Sequence, residues 1–177
     1  MFKLFFKKIL LFRLTFFKKI NKNFYSQFGE DKVLNELIPK NFTNGFYVDV
    51  GCFHPKKHSN THMLFKRGWK GINIDMEKDK IAAFNLARPN DYNFLGAISN
   101  KIEKVKIYRN QKFGVSSTIN RNVIKKEDII DDDYIQTTTL NIVLETSPFK
   151  GKKIDLLNID VEGNDLKVIK SLNFAIY

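Results

Sequence analysis

Residues 46–75 contain two short apolar runs, and each ends in a residue suited to binding a ligand. The first, FYVDV, predicts a buried parallel strand that leads into Gly51, where the missing side chain lets a ligand approach the backbone. The second, GINID, ends in the carboxylate of Asp75. Together they predict a nucleoside-binding unit in which the acid accepts hydrogen bonds from two ribose hydroxyls. The alternative is an ordinary β-α-β crossover whose glycine only turns the chain.

The number of glycines in this turn narrows the class of nucleoside. A dinucleotide site needs the full Gly-x-Gly-x-x-Gly pattern, because pyrophosphate must lie against bare backbone at a helix N-terminus. Here Gly51 stands alone and is followed by the bulky Phe53, His54 and Pro55. The sequence therefore disfavours NAD and FAD. S-adenosylmethionine (SAM) has no phosphate, so one glycine can suffice where its methionine part passes.

A later run, KIDLLNIDVEG, predicts another buried parallel strand that enters a glycine turn. Because side chains alternate along a strand, Asn158, Asp160 and Glu162 would point the same way if the strand extends that far. Ligands of open α/β sheets bind beyond the carboxyl ends of the strands. We therefore expect Asp160 and Glu162 to gather near Gly51 and Asp75.

The carboxylates of Asp160 and Glu162 have two chemical uses at such a site. They could accept a proton from a substrate hydroxyl, or they could bind a divalent cation such as Mg²⁺ through oxygen ligands. His54 is a second candidate base, because its neutral imidazole is available near pH 7. The alternative is that the two acids only cap the following helix and hold the turn.

The positive charge of the chain is concentrated at its N-terminal end. The 177 residues carry a net charge of +11 and a single cysteine, which suits one domain without an internal disulfide. Residues 1–24 contain seven basic side chains and no acid, so the remainder carries only +4. This modest charge argues against nucleic-acid binding. The seven basic side chains of residues 1–24 are Lys3, Lys7, Lys8, Arg13, Lys18, Lys19 and Lys22.

This N-terminal arm, residues 1–24, has an imperfect amphipathic helical pattern, with six lysines on one side and the phenylalanines on the other. Leu4, Leu11, Leu14 and Arg13 break this pattern. Its uncharged runs are far shorter than the roughly 20 residues that span a bilayer. Charges interrupt its apolar region and no small-residue cleavage site follows, so a secretory signal is not expected. Two interpretations stay open. The helix lies on an anionic membrane surface, or it packs its phenylalanines against the domain.

The rest of the pattern predicts the elements that position these side chains within one domain, residues 25–177. The predicted helices are residues 33–38, residues 62–67 with Ser59 or Asn60 as the cap, residues 77–88, residues 140–145 and a last helix that begins near Asn164. The further predicted strands are residues 92–99, 104–109 and 136–139, and residues 131–133 are predicted to form a solvated acidic turn.

Taken in order, these motifs resemble the FkbM family of SAM-dependent methyltransferases. The resemblance covers roughly residues 25–174, and the ordered set is more specific than any single motif. The motifs, in which a hyphen marks any residue, are SQ-GED at 26–31, VDVG at 48–51, SNT at 59–61, GW-G and ID within 68–75, AIS at 97–99, TL at 139–140 and DLL-IDVEG at 155–163.

The resemblance implies a class I methyltransferase (Rossmann-like) α/β fold, with a mostly parallel sheet and flanking helices. It also implies methyl transfer from SAM to a hydroxyl, often of a sugar in a surface glycan or of a secondary metabolite. By this resemblance, Asp49 and Gly51 would contact the methionine end of SAM, and Asp75 would contact the ribose. Ala97 and Ile98 would flank the adenine, and Phe53, Asn60 and Met76 would contact other parts of the cofactor. Asp160 and Glu162 would lie beside the reacting hydroxyl.

The sequence departs from this family pattern at its C-terminal end. Three more strands normally follow the one that ends at Asp160, whereas this chain stops at Tyr177, so we expect the sheet to lack its last strands. Such a chain could be a truncated product, complete its sheet as a homodimer, or be inactive. Two rival functions follow: a SAM-binding protein without catalysis, or a membrane-surface or nucleic-acid module driven by the arm. The expected location is the cytoplasm, peripheral at the inner membrane face if the arm binds lipid.

Overall fold

The computed structural model describes residues 24–109, 117–125 and 131–177, so the predicted arm lies outside the described residues except for Phe24. The helices described are α1 (Glu30–Leu37), α2 (His62–Lys66), α3 (Lys78–Ala87), α4 (Leu140–Thr146) and α5 (Asp165–Lys170). The strands described are β1 (Phe46–Val50), β2 (Lys70–Asp75), β3 (Tyr92–Leu95), β4 (Ala97–Ile98), β5 (Lys104–Arg109), β6 (Ser117–Thr118), β7 (Asp131–Thr138) and β8 (Leu156–Ile159).

The central sheet is parallel throughout, with the strand order β3-β2-β1-β8. All five residues of β1 are buried, as its continuous apolar run predicts, and Val48 pairs with Ile72 on one side and Leu157 on the other. Strand β8 forms one edge of this sheet and is only half-buried, which differs from the predicted buried strand. The carboxyl ends of β1, β2 and β8 therefore meet at one end of the sheet.

Helices cover both faces of the central sheet, as the α/β prediction requires. On one face Val48 and Val50 pack in a cluster with Leu140 and Val143 of α4 and with Val168 of α5. On the other face the alternating side chain of Tyr47 packs with a second cluster that includes α2 and Trp69. Burial on both sides explains why β1 has no alternation of apolar and polar residues.

A second sheet, which the sequence did not predict, has the order β4-β7-β5-β6. The predicted single strand over residues 92–99 is wrong, because the chain leaves the central sheet at Gly96. The Gly96 amide donates to the Asp75 carbonyl at 3.0 Å, and Ala97–Ile98 then pair in parallel with β7. One apolar run thus supplies strands to two sheets.

The acidic turn predicted over residues 131–133 is also wrong, because these aspartates begin the long strand β7. They pair in antiparallel register with β5, where Arg109 faces Asp131 and Lys104 faces Gln136 at the other end. The main-chain ladder along β5 overrides the low strand propensity of a run of aspartates. Local composition could not show this pairing.

Two further local findings concern helices. The N-cap residue of α2 is Thr61, without a side-chain capping bond, rather than the predicted Ser59 or Asn60. In the part of the chain that the structure describes, no helix is long and apolar enough to cross a membrane.

Candidate functional site

A cavity opens at the carboxyl ends of β1, β2 and β8, the end of a parallel sheet where ligands bind in open α/β folds. Ten of the predicted site residues line it: Asp49, Gly51, Phe53, Asn60, Asp75, Met76, Ala97, Ile98, Asp160 and Glu162. The predicted convergence of two distant parts of the sequence is thus observed, although their roles stay predictions.

Gly51 forms the floor of this cavity, and its backbone makes glycine necessary there. Its φ is +87°, and its amide donates to the Ile74 carbonyl at 2.8 Å. A Cβ at this position would lie 1.9 Å from the carbonyl oxygen of Asp160. The turns after β1 and β8 therefore touch backbone to backbone, which supplies a structural reason for the glycine beside any contact with a ligand.

Asp49 is a buried carboxylate that connects β1 to the surrounding loop. It accepts hydrogen bonds from the Thr61 hydroxyl and the Asn158 amide, each at 2.8 Å. Asn158 in turn accepts one from the Asn60 side chain at 3.0 Å. Burial raises the pKa of Asp49, and these hydrogen bonds oppose that effect. The result is an ordered polar wall on the β1 side of the cavity.

Asp75, the predicted ribose acid, ends β2 inside the cavity. One carboxylate oxygen accepts from the Glu77 amide at 2.8 Å, and the other from the Lys80 ammonium at 2.9 Å. Burial raises the pKa of Asp75, and Lys80 opposes this most strongly. Because each carboxylate oxygen has two lone pairs, both can still accept a ligand hydroxyl. Asp75 therefore keeps the capacity to accept hydrogen bonds that its predicted role requires.

Asp160 lies just beyond β8, and its amide donates to the Val50 carbonyl at 2.9 Å. Loss of solvent around its carboxyl raises the pKa of Asp160, with smaller contributions in the same direction from Asp165 and Glu30. A carboxylate with a raised pKa at the rim of a cavity is suited to accept a proton.

Glu162 does not follow the predicted strand alternation, because β8 ends at Ile159 and Glu162 has a left-handed φ of +50°. Its carbonyl accepts a hydrogen bond from the Thr118 hydroxyl at 2.9 Å, so the turn is attached to β6. The alternative that Asp160 and Glu162 cap α5 is not supported, since the N-cap residue of α5 is Asn164.

The predicted metal site at Asp160 and Glu162 is not supported. Among residues 24–109, 117–125 and 131–177, no three His, Cys, Asp or Glu side chains are grouped so that they could hold a metal ion. The pair lies at the cavity rim without a third ligand of this kind in the described residues. The carboxylates therefore enter the proposal below only as hydrogen-bonding and proton-accepting groups.

His54, the second candidate base, is not among the residues that line the cavity. Its Nδ1 accepts hydrogen bonds from the Lys56 amide at 3.0 Å and the Lys57 amide at 2.9 Å. These bonds fix the ring within the loop after β1. The structure thus brings Asp160, rather than His54, to the cavity.

Several lining residues were not predicted: Gln27, His58, Ser59, Lys80 and Asn164. Gln27 belongs to the SQ-GED motif, which was a signal for the family but not for a place in the cavity. Lys80 stands five positions after Asp75, and only the turn into α3 brings the two side chains together. These contacts depend on the tertiary structure.

Arg88 is the most consequential residue that sequence reasoning missed. It is fully buried, and its guanidinium donates to the Pro55 carbonyl, the Ser59 hydroxyl at 3.0 Å and the Thr61 hydroxyl at 2.9 Å. Thr61 then donates to Asp49. Arg88 thereby holds the loop between β1 and α2 against the sheet, and this loop forms one wall of the cavity.

The fold and the site define a mixed α/β protein with a parallel sheet, flanking helices and a polar cavity at the carboxyl ends of the strands. Its sequence matches the methyltransferase FkbM domain over residues 49–177, so the chain belongs to the FkbM methyltransferase family and the resemblance is confirmed. Membership implies SAM as the methyl donor. Comparison with curated proteins gives no match, and comparison with solved structures gives none either.

Proposed function

We propose that this chain is a SAM-dependent O-methyltransferase of the class I fold, and that its acceptor is a hydroxyl of a sugar in a surface glycan or a related metabolite. The observation that carries the proposal is the cavity that joins Gly51, Asp75 and Asp160. A glycine floor, a ribose-binding acid and a proton acceptor are the groups that such a reaction needs.

The chemistry of the residues that line the cavity supports SAM as its ligand. The methionine part would pass Gly51 and the polar wall around Asp49, and the ribose would bind to Asp75. The adenine would lie against Ala97 and Ile98, which are buried and apolar and therefore suited to a flat ring. SAM would supply a methyl group on a positively charged sulfur, a good leaving group.

The proposed chemistry is a displacement in which the acceptor oxygen attacks the methyl carbon. A carbon–oxygen bond forms as the carbon–sulfur bond breaks, and the products are the methyl ether and S-adenosylhomocysteine. Asp160 takes the proton of the hydroxyl. The cavity contributes mainly by holding the acceptor oxygen in line with the carbon–sulfur bond. Asp160 suits this role because it adjoins both Gly51 and the solvent-exposed rim.

The test is to incubate the purified chain with SAM and a panel of sugar acceptors, and to measure S-adenosylhomocysteine and the methylated product by mass spectrometry. The expected result is a methyl ether whose formation falls by about 100-fold in Asp160→Asn, the loss typical of a general base. Methyl transfer to nitrogen, or SAM binding without transfer to any hydroxyl of the panel, would contradict the proposal. The second result would favour a SAM-binding protein without catalysis.

A further inference from the structure

Lys80 is the only lysine or arginine among the described residues that line the cavity, where Asp49, Asp75, Asp160 and Glu162 supply four carboxylates. The side chain of Lys80 is 14% exposed, and that of its partner Asp75 is 7% exposed. An ion pair so far removed from water is screened much less than a pair at the surface. The charge of Lys80 therefore acts on the cavity wall itself.

Two donors hold the Asp75 carboxylate, one on each oxygen. Its Oδ1 accepts a hydrogen bond from the Glu77 amide at 2.8 Å, and its Oδ2 accepts one from the Lys80 Nζ at 2.9 Å. The Lys80 Nζ also lies 5.5 Å from the centre of the Phe53 ring, within the range of a cation–π contact. Because Phe53 follows β1 and Asp75 ends β2, Lys80 connects two walls of the cavity and fixes the plane of the carboxylate.

We propose that Lys80 is a positioning residue that keeps the Asp75 carboxylate charged and turned towards the cavity, where it selects a ribose with both hydroxyls free. Asp75 would contact the sugar, and Lys80 would act through Asp75. A charged carboxylate accepts hydrogen bonds on both oxygens, whereas the protonated form uses one oxygen as a donor. This inference rests on the nucleoside site of the proposed function, and it requires neither methyl transfer nor a particular acceptor.

The other groups around Asp75 leave Lys80 as the main source of this effect. Burial raises the pKa of Asp75, and Lys80 opposes burial more strongly than any other group does. The Glu77 carboxylate acts in the same direction as burial, and it forms its own ion pair with Arg109 at 2.7 Å. Burial, and after it the charge of Asp75, raise the pKa of the Cys52 thiol, so Cys52 adds no charge. Without Lys80, the pKa of Asp75 should therefore rise further.

The test measures binding of adenosine, and of dideoxyadenosine, the analogue that lacks both ribose hydroxyls, to the full chain. Calorimetric titrations cover the range from about pH 5 to about pH 9. The variant is Lys80→Met, which keeps an unbranched apolar side chain and removes the charge. Lys80→Arg restores a cation, and Lys78→Met is the matched control because Lys78 is an exposed lysine at the start of the same helix, α3. Circular dichroism checks that the three variants are folded.

We expect Lys80→Met to weaken adenosine binding on the order of tenfold at the acidic end of this range and much less at the alkaline end, where Asp75 is ionised again. The preference for adenosine over dideoxyadenosine should shrink in parallel. Lys80→Arg should keep most of the affinity for adenosine, and Lys78→Met should keep all of it. Carbon NMR of the ligand-free chain should show Asp75, identified by the signal lost in Asp75→Asn, titrating at a higher pH in Lys80→Met.

Three results would overturn the proposal. The first is a loss of adenosine affinity in Lys80→Met that is the same at every pH, and the second is an equal loss of dideoxyadenosine affinity, since either would show that Lys80 only supports the fold of the cavity. The third is an unmodified chain without a preference for adenosine. Failure of methyl transfer in a chain that shows the expected Lys80 effects would contradict the proposed function alone.

Discussion

Gly51 illustrates how one residue serves both the fold and the candidate site. Its positive φ and its contact with the Asp160 carbonyl are needed to pack two turns together, and the same turn forms the cavity floor. A side chain there would separate the end of β1 from the end of β8. Asp160, the proposed proton acceptor, would move with it.

The first prediction concerns this close packing. Gly51→Ala should lower the free energy of unfolding by about 3 kcal/mol or more, because left-handed strain adds to a severe overlap with the Asp160 carbonyl. Gly151→Ala is the matched control, since Gly151 has a φ of +74° and a Cβ added there would meet no atom of a more distant residue within 4 Å. Gly151→Ala should lower the free energy of unfolding only by the cost of the left-handed backbone conformation, about 1–2 kcal/mol. Urea unfolding of both variants measures the difference, and equal losses would refute the packing argument.

The second prediction concerns the protonation of Asp160. The base must be ionised to accept a proton, so kcat/KM should fall when the pH drops below the pKa of Asp160. Because this pKa is raised, the fall should occur above pH 3.8, the ordinary pKa of an aspartic acid. Glu30→Gln removes a nearby negative charge that contributes to the raised pKa, so the acid limb should move to lower pH. The pH–rate profiles of the unmodified chain and of Glu30→Gln measure the position of this acid limb. An acid limb that Glu30→Gln leaves in place would contradict the proposed electrostatic coupling.

At the scale of elements, the loop between β1 and α2 owes its position to α3, through the guanidinium of Arg88. Besides its bonds to that loop, Arg88 donates to the Tyr47 hydroxyl at 3.0 Å, and Tyr47 donates to Asp91. Burial raises the pKa of Asp91, with hydrogen bonds from Tyr47 and Asn73 opposing it. The network joins strand, loop and helix in a region closed to solvent.

The third prediction follows from this burial. Arg88→Lys should lower the free energy of unfolding by about 3 kcal/mol or more, because several buried acceptors lose their donors. Lys101→Ala is the control: Lys101 forms an exposed ion pair with Glu103 at 2.9 Å, and its loss should cost less than about 0.5 kcal/mol. Thermal and urea unfolding of the two variants measure these losses of stability. A stable Arg88→Lys chain would show that the network is not needed to hold the loop.

Elements with a strong local signal were predictable from the sequence. The buried run of β1 and the helical patterns of α3 and α4 were found within a residue or two of their bounds. The errors lie where distant pairing decides the outcome. Asp131–Thr138 becomes a strand only because β5 pairs with it, and residues 92–99 divide because β4 pairs with β7 rather than β2.

The candidate site was predictable where the chemistry is carried by motifs at strand ends, as at Gly51, Asp75 and Asp160. It was not predictable where side chains from other elements complete it. Lys80 reaches Asp75 from α3, and Asn158 reaches Asp49 across the sheet. Arg88 has the sequence appearance of an ordinary basic residue at the end of a helix, and only the fold shows that it is buried.

At the scale of the whole molecule, the two sheets are connected around the cavity by the segment that follows Asp75. The Glu77 carboxylate accepts from Arg109 of β5 at 2.7 Å and from Ser117 of β6 at 2.8 Å. Thr118 attaches the same sheet to the Glu162 carbonyl. The second sheet therefore contacts both the ribose-acid turn and the β8 turn, so a bound nucleoside would be held between parts of the chain far apart in sequence.

The central claim is that this cavity binds SAM, and calorimetric titration of the full chain with SAM tests it most directly. We expect a dissociation constant on the order of micromolar, weakened about tenfold or more by Asp75→Ala, because two hydrogen bonds from the ribose to a charged acceptor are lost. Asp79→Ala, at an exposed position on α3, should bind as the unmodified chain does. Absence of binding by a folded chain, or unchanged affinity in Asp75→Ala, would contradict the account.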